Sequence, residues 1–229
     1  TESGDVEGAL EALTACRGAN PDDLAISLQL IETLCKAGRK EPAAREMLTL
    51  AERLAEQGEI NRAIETYRRA QGLRAAGVNA WTPMIQLLLT AGRRDEAIAE
   101  CVQLCEFCLK EGDSESAFNA IERAIELDPS REELQIRQAA VVAEARLTGR
   151  PLERVCEHAR GLLAGRSFGS VARALEELDR AVAEQTLVVC LRADLEEAQG
   201  EIERALDRRL GCIDRLERER EFDTALGVL

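Results

Sequence analysis

The chain has 229 residues, 45% of them hydrophobic but only 3% aromatic, so any core is built from Leu, Ala, Ile and Val. Its formal charge is -13, from 43 acidic and 30 basic residues mixed along every segment, and it lacks the basic stripe with which a nucleic-acid binder displaces counterions. No apolar run nears the roughly 20 residues that span a bilayer, the opening TESGDVEGAL has no signal-peptide pattern, and eight cysteines are not needed as staples in a helical chain of this length, so a reduced, cytoplasmic protein is expected.

Leu, Ala, Glu and Arg dominate, β-branched residues are sparse, and Gly and Pro stand as isolated punctuation, which predicts an all-helical chain. The opening GDVEGALEALTAC places Gly4, Ala9 and Cys16 one period before Gly58, Ala63 and Ala70, so the chain starts inside a repeating unit and reads as a piece of a longer protein. Pro21 closes that first part. Three helices follow, over about 24–36, 41–57 and 60–74. The set then recurs: residues 24–77 laid over 78–131 without a gap give 14 identities, among them Gly38/Gly92, Ala43/Ala97, Gly58/Gly112, Ala63/Ala117 and Ala70/Ala124.

Further along, Gly149/Gly169 repeats the 20-residue glycine spacing of Gly38/Gly58 and Gly92/Gly112, and Ala205 and Ala225 stand five residues beyond Gly200 and Arg220. Read by these glycines, successive copies are offset by 54, 57 and 51 residues, with GRSFGS at 165–170 as a longer turn that takes up three extra residues. The expected organisation is one array over 1–229, with a partial unit at 1–23, units at 24–77, 78–131 and 132–185, and a partial unit at 186–229.

Each element of this pattern has a physical reason. A glycine just past a helix enters the left-handed conformation cheaply and lets the chain reverse. Pro42 and Pro151 fall in opening turns, where a missing N–H costs nothing, and Pro129 closes a third helix. The recurrent alanines are small so that neighbouring helices cross closely. The C-terminal LGCIDRLEREREFDTALGVL sustains no heptads and reads as another unit.

One stretch invites a chemical reading. Cys101, Cys105 and Cys108 stand at i, i+4 and i+7, so their thiols share one helix face. Opposite them in the preceding copy are Met47, Ala51 and Leu54, all apolar or small, which predicts packing. A zinc site would need a fourth ligand at loop spacing, and the only histidine, His158, stands two residues from Cys156 on a predicted helix, pointing elsewhere. No metal, cofactor or catalytic residue is assigned. Nucleophilic catalysis needs a base oriented by a third group, phosphate cradles need a Gly-rich loop, and neither pattern occurs. The Glu/Asp runs beside Arg, such as LEELDR at 175–180, are ion pairs on solvated faces.

Residues 98–131 resemble a tetratricopeptide repeat through Cys101, Leu104, Cys105, Cys108, Gly112, Ala117, Ile121, Ala124 and Pro129. Residues 44–75 fit the same pattern through Met47, Leu50, Ala51, Leu54, Gly58, Ala63, Tyr67 and Ala70, and Trp81, Met84, Leu88, Gly92, Ala97 and Cys101 fit it in a second register. The middle helix of each unit thus serves two registers, which departs from the usual two-helix period. The resemblance implies an all-α, right-handed helical-repeat solenoid that is non-catalytic and binds a partner peptide or helix in a groove. The corresponding groove positions are Gln29, Glu32, Thr49, Glu52, Gln86, Gln103 and Glu106. Being acidic or neutral, they favour a basic or amphipathic helical segment over a C-terminal carboxylate. Two other roles remain open: a regulatory or sensor arm of a larger enzyme or signalling protein, and self-association through end units. Only 3 of the 30 basic residues are lysines, a bias suggestive of a GC-rich bacterial genome.

Overall fold

The computed structural model describes the backbone of residues 2–20, 23–73, 75–218, 221, 224, 227 and 228, with side chains from residue 6 onward. Pro21, Arg220 and Ala225 lie outside the described residues. Every regular element among the described residues is helical: α1 (Glu2–Ala19), α2 (Leu24–Lys36), α3 (Lys40–Glu56), α4 (Ile60–Gly72), a 3-10 turn (Gly77–Ala80), α5 (Trp81–Thr90), α6 (Arg94–Glu111), α7 (Ser114–Leu127), α8 (Glu132–Glu144), α9 (Arg150–Ala164), α10 (Phe168–Asp179), α11 (Thr186–Ala198) and α12 (Ile202–Arg218). The chain divides into two compact units, Thr1–Cys101 and Val102–Leu229.

Local chemistry starts these helices where the sequence expects them. Asp23 caps α2, its carboxylate accepting from the Ala25 N–H at 2.8 Å, and Asp113 caps α7 by accepting from the Ser116 N–H at 3.1 Å. Each satisfies a donor that the first helical turn leaves without an intrahelical acceptor. In the first unit consecutive helices pack in order, α1 on α2, α2 on α3, α3 on α4 and α4 on α5. In the second unit α8 lies against α7, α9 and α10, α9 also meets α11, and α11 packs on α12.

The core repeats with the helices. Ala44, Met47, Leu50 and Leu54 of α3 share one apolar cluster with Ile31 of α2 and with Ala63 and Ala70 of α4. Ala63 and Ala70 are fully buried, as a close helix crossing requires. Burying each Leu, Ile or Met side chain contributes about 1.5–3 kcal/mol.

The turns correct the repeat length. In the first copy Gly38 and Gly58 hold φ of 70° and 78°, and Gly92 and Gly112 follow 54 residues later at 72° and 78°. The next step of 54 lands on Arg146 and Arg166, which take φ of 50° and 62°, and the one after on Gly200 at 87°. The hydrogen bonds agree. The Gly92 N–H donates to the Leu89 carbonyl and the Arg93 N–H to that of Leu88, and the Arg146 and Leu147 N–H groups repeat this pair on Ala143 and Val142. This is the two-bond closure of a left-handed helix cap. The period is therefore 54 throughout, not 54, 57 and 51. Gly149 instead precedes α9 as its N-cap, Gly169 lies inside α10, and 165–170 contains a turn of ordinary length.

Candidate functional site

The cysteine face of α6 is at most 1% exposed at Cys101, Cys105 and Cys108. Burial pushes the Cys105 thiol up to about 11, so it is protonated at neutral pH and packs as a small apolar group. Cys156 is likewise pushed up to about 11 by burial. Among the described residues no cluster of three His, Cys, Asp or Glu side chains is placed to hold a metal. His158 is spent on structure: its Nδ1 lies 2.8 Å from the Gln138 amide oxygen, and burial, with Arg154 nearby, lowers its pKa.

The groove positions named from the sequence fall into distinct environments. Gln29 is exposed on α2, and Glu32, exposed beside it, is tied to Lys36 at 2.8 Å. Thr49 on α3 is half-buried, with its hydroxyl donating to the Arg45 carbonyl at 3.1 Å. Glu52, exposed one turn further, adds to the burial that pushes Tyr67 up to about 12. Gln86 and Gln103 are exposed on α5 and α6, while Glu106 is half-buried and paired with Arg137. Two of the three glutamates thus already have cationic partners.

A concavity the sequence reading did not name lies in the second unit between α7 and the start of α9. It has a volume of about 370 Å³ and is lined by Glu115, Phe118, Asn119 and Glu122 of α7 with Leu147, Arg150 and Pro151. On α7 these four stand at i, i+3, i+4 and i+7, one helix face. Phe118 is buried, Leu147 and Pro151 are half-buried, and Glu115, Asn119 and Arg150 are exposed. The left-handed turn at Arg146 aims the following residue, Leu147, and Pro151 is set by its place in the first turn of α9.

One period earlier, in the first unit, the same positions are bridged. Arg93 donates to Asn61 at 2.9 Å and to Glu96 at 2.6 Å, and Arg68 reaches Glu96 at 3.2 Å and Glu100 at 3.0 Å. In the second unit the deeper pair is present with its charges exchanged, Glu122 accepting from Arg154 at 2.7 Å in place of Arg68 on Glu100. The outer bridge is absent, because Leu147 replaces Arg93 and Glu115 replaces Asn61. An apolar side chain cannot span to the carboxylate, and the groove stays open with Glu115 making no ion pair among the described residues. The signal was present in the sequence: Leu147 stands 54 residues after Arg93, but reading the offset as 57 hides it.

The tetratricopeptide repeat family profile matches residues 1–55 and, separately, residues 101–131. The chain carries tetratricopeptide repeats. The two matched stretches take in most of α1–α3, the C-terminal part of α6 and all of α7, so the α7 wall of the groove lies inside a matched stretch. Among solved structures, the chain is similar to a MamA protein, with 12% identity over 81% of this chain and 96% of that one at a TM-score of 0.31. It is also similar to YrrB, described as a tetratricopeptide protein with an unusual peptide-binding site, with 15% identity over 95% of this chain and 97% of that one at a TM-score of 0.27. No curated protein matches the sequence. Among the described residues no helix is long and apolar enough to cross a membrane.

Proposed function

We propose that this chain is a non-catalytic protein-interaction module whose second unit seats one apolar side chain of a partner segment between Leu147 and Pro151, above Phe118. The observation that carries this reading is the open α7–α9 groove, apolar at its floor and polar at its rim. The rim sets the chemistry of the partner. Asn119 offers both a donor and an acceptor to a backbone amide, and Glu115 attracts a basic residue next to the anchor. The net charge of -13 steers basic segments toward the molecule and repels acidic ones. A short amphipathic segment with a basic flank meets both demands. On the first unit, Gln29, Thr49 and Glu52 offer a separate polar face, with Glu52 as its free carboxylate.

Selection of random peptides on the full chain tests this reading. Enriched sequences are expected to pair an aromatic or aliphatic residue with Lys or Arg, and to lose at least tenfold in affinity for Glu115→Lys and Asn119→Arg, two exposed positions where substitution leaves the fold intact. Peptides that bind both variants as tightly as the unaltered chain would remove the groove from the account. Sensitivity to Glu52→Lys alone would move the site to the first unit.

A further inference from the structure

Leu147 leaves two charges of the α7–α9 groove without partners, one on each wall. On the α7 wall, Glu115 stands two periods after Glu7 and one after Asn61. Both of those are held by the arginine 32 residues further on, Glu7 by Arg39 at 2.7 Å and Asn61 by Arg93 at 2.9 Å. The residue 32 beyond Glu115 is Leu147, which has no charge to offer it. On the α9 wall, Arg150 matches Glu96 one period earlier and Arg204 one period later. Glu96 is tied to Arg93 at 2.6 Å and Arg204 to Glu201, in each case the residue three positions before it. Three positions before Arg150 is again Leu147. Glu122 matches the Arg68 that also holds Glu96, but Arg154 takes it at 2.7 Å, and Arg150 forms no ion pair among the described residues.

The two charges are also ordered along the groove. In the first unit Asn61 meets Arg93, and seven residues on in both segments Arg68 meets Glu100, so the walls run in the same direction. The Glu122–Arg154 pair is the same step in the second unit. At about 1.5 Å per helical residue, Glu115 lies roughly 10 Å along α7 from that pair and Arg150 roughly 6 Å along α9. The negative charge thus marks the far end of the groove and the positive charge lies nearer the pair, with Phe118, Leu147 and Pro151 lining the same cavity.

We propose, building on the groove reading above, that the partner segment carries a basic residue on one side of its apolar anchor and an acidic residue on the other, the first pairing with Glu115 and the second with Arg150. The groove then fixes the direction in which the segment lies. Each exposed pair adds little affinity by itself, but a segment laid the other way meets two like charges, so the two orders differ by more than either pair contributes.

The probe is a peptide library with one fixed Phe and Lys, Glu or Ser at each of the three positions on either side, selected on the full chain. Enriched peptides are expected to carry Lys on one side and Glu on the other, always in the same order, and exchanging the two in a synthetic binder should weaken it roughly tenfold. Replacing its Glu by Ser should weaken it about two- to fivefold on the unaltered chain and leave its affinity unchanged on Arg150→Gln. The double variant Glu115→Lys with Arg150→Glu should select the opposite order. Both positions are exposed, a carboxylate in the first turn of a helix is favourable, and melting checks that the variants are folded. Lys enriched on both sides without Glu, or a Glu-to-Ser change that weakens binding equally on the unaltered chain and Arg150→Gln, overturns the proposal and leaves the groove as the seat of the anchor. A library that yields no binder, or binders as tight on Asn119→Arg as on the unaltered chain, overturns both.

Discussion

Arg146 occupies the left-handed seat that Gly92 holds one period earlier, at φ of 50° against 72°, and its N–H closes the same cap. Arg166 stands in the same relation to Gly112. A side chain in this conformation costs roughly 1–2 kcal/mol through the clash of Cβ with backbone, part of which glycine gives back through its larger unfolded-state entropy. Arg146→Gly and Arg166→Gly are therefore expected to stabilise the protein by about 0.5–1 kcal/mol each, read as a rise in the urea midpoint at constant slope. Gly92→Ala is expected to cost about 1 kcal/mol, although an added Cβ meets nothing within 4 Å, because the cost lies in φ alone. Destabilisation by both Arg→Gly changes would show that the arginine side chains hold these turns.

The Gln138–His158 pair replaces an apolar pair. Matching positions carry Met84 and Leu30 for Gln138, and Leu104 and Leu50 for His158. Gln138 is fully buried, and its amide nitrogen has no partner among the described residues. His158→Leu alone strands the Gln138 amide and is expected to cost about 1–3 kcal/mol. Gln138→Met with His158→Leu removes both polar groups and is expected to be at least as stable as the unaltered chain. The same pair makes stability depend on pH. Burial holds the folded pKa of His158 below its ordinary 6.5, so the unfolded chain takes up the proton first. This contribution is complete above pH 6.5 and is lost as pH falls through 6.5 toward the folded value. Urea midpoints from pH 7.5 down to 5 should fall in the unaltered chain and fall less in the double variant. Equal slopes would contradict this assignment.

The eight cysteines divide by exposure. Cys16 and Cys35 are exposed, Cys190 is half-buried, and the other five are buried. A thiol-reactive dye is expected to modify Cys16 and Cys35 rapidly in the native chain and the buried five only on unfolding, since burial keeps Cys105, Cys108 and Cys156 protonated. Rapid native labelling of Cys105 would contradict the packing of the α6 face.

Much of the fold was legible because it rests on local rules. The apolar spacing marks the helices, the alanines mark close crossings, and Gly38, Gly58, Gly92 and Gly112 mark reversals that only a left-handed residue makes. The third copy departs from the rule at Arg146 and Arg166, where the same cap hydrogen bonds close on a residue that does not favour the left-handed conformation, and Gly149 nearby displaces the apparent register by three residues. At that offset Leu147 does not align with Arg93, and the groove leaves no mark in the sequence. Its floor residue Leu147 has no local signature and gains meaning only when set against Arg93. Of the polar positions read as a partner surface, Gln29, Glu32, Glu52, Gln86 and Gln103 are exposed but Thr49 and Glu106 are half-buried, and the Glu106–Arg137 pair depends on helices far apart in sequence.

The most direct test of the account is the binding of a groove-selected peptide to Leu147→Arg. In the first unit Arg93 closes this place by reaching Asn61 at 2.9 Å, and an arginine at 147 faces Glu115, a stronger acceptor. Calorimetric titration should show affinity reduced at least tenfold while the melting temperature stays the same or rises. Unchanged affinity in a folded Leu147→Arg protein would show that the partner binds elsewhere.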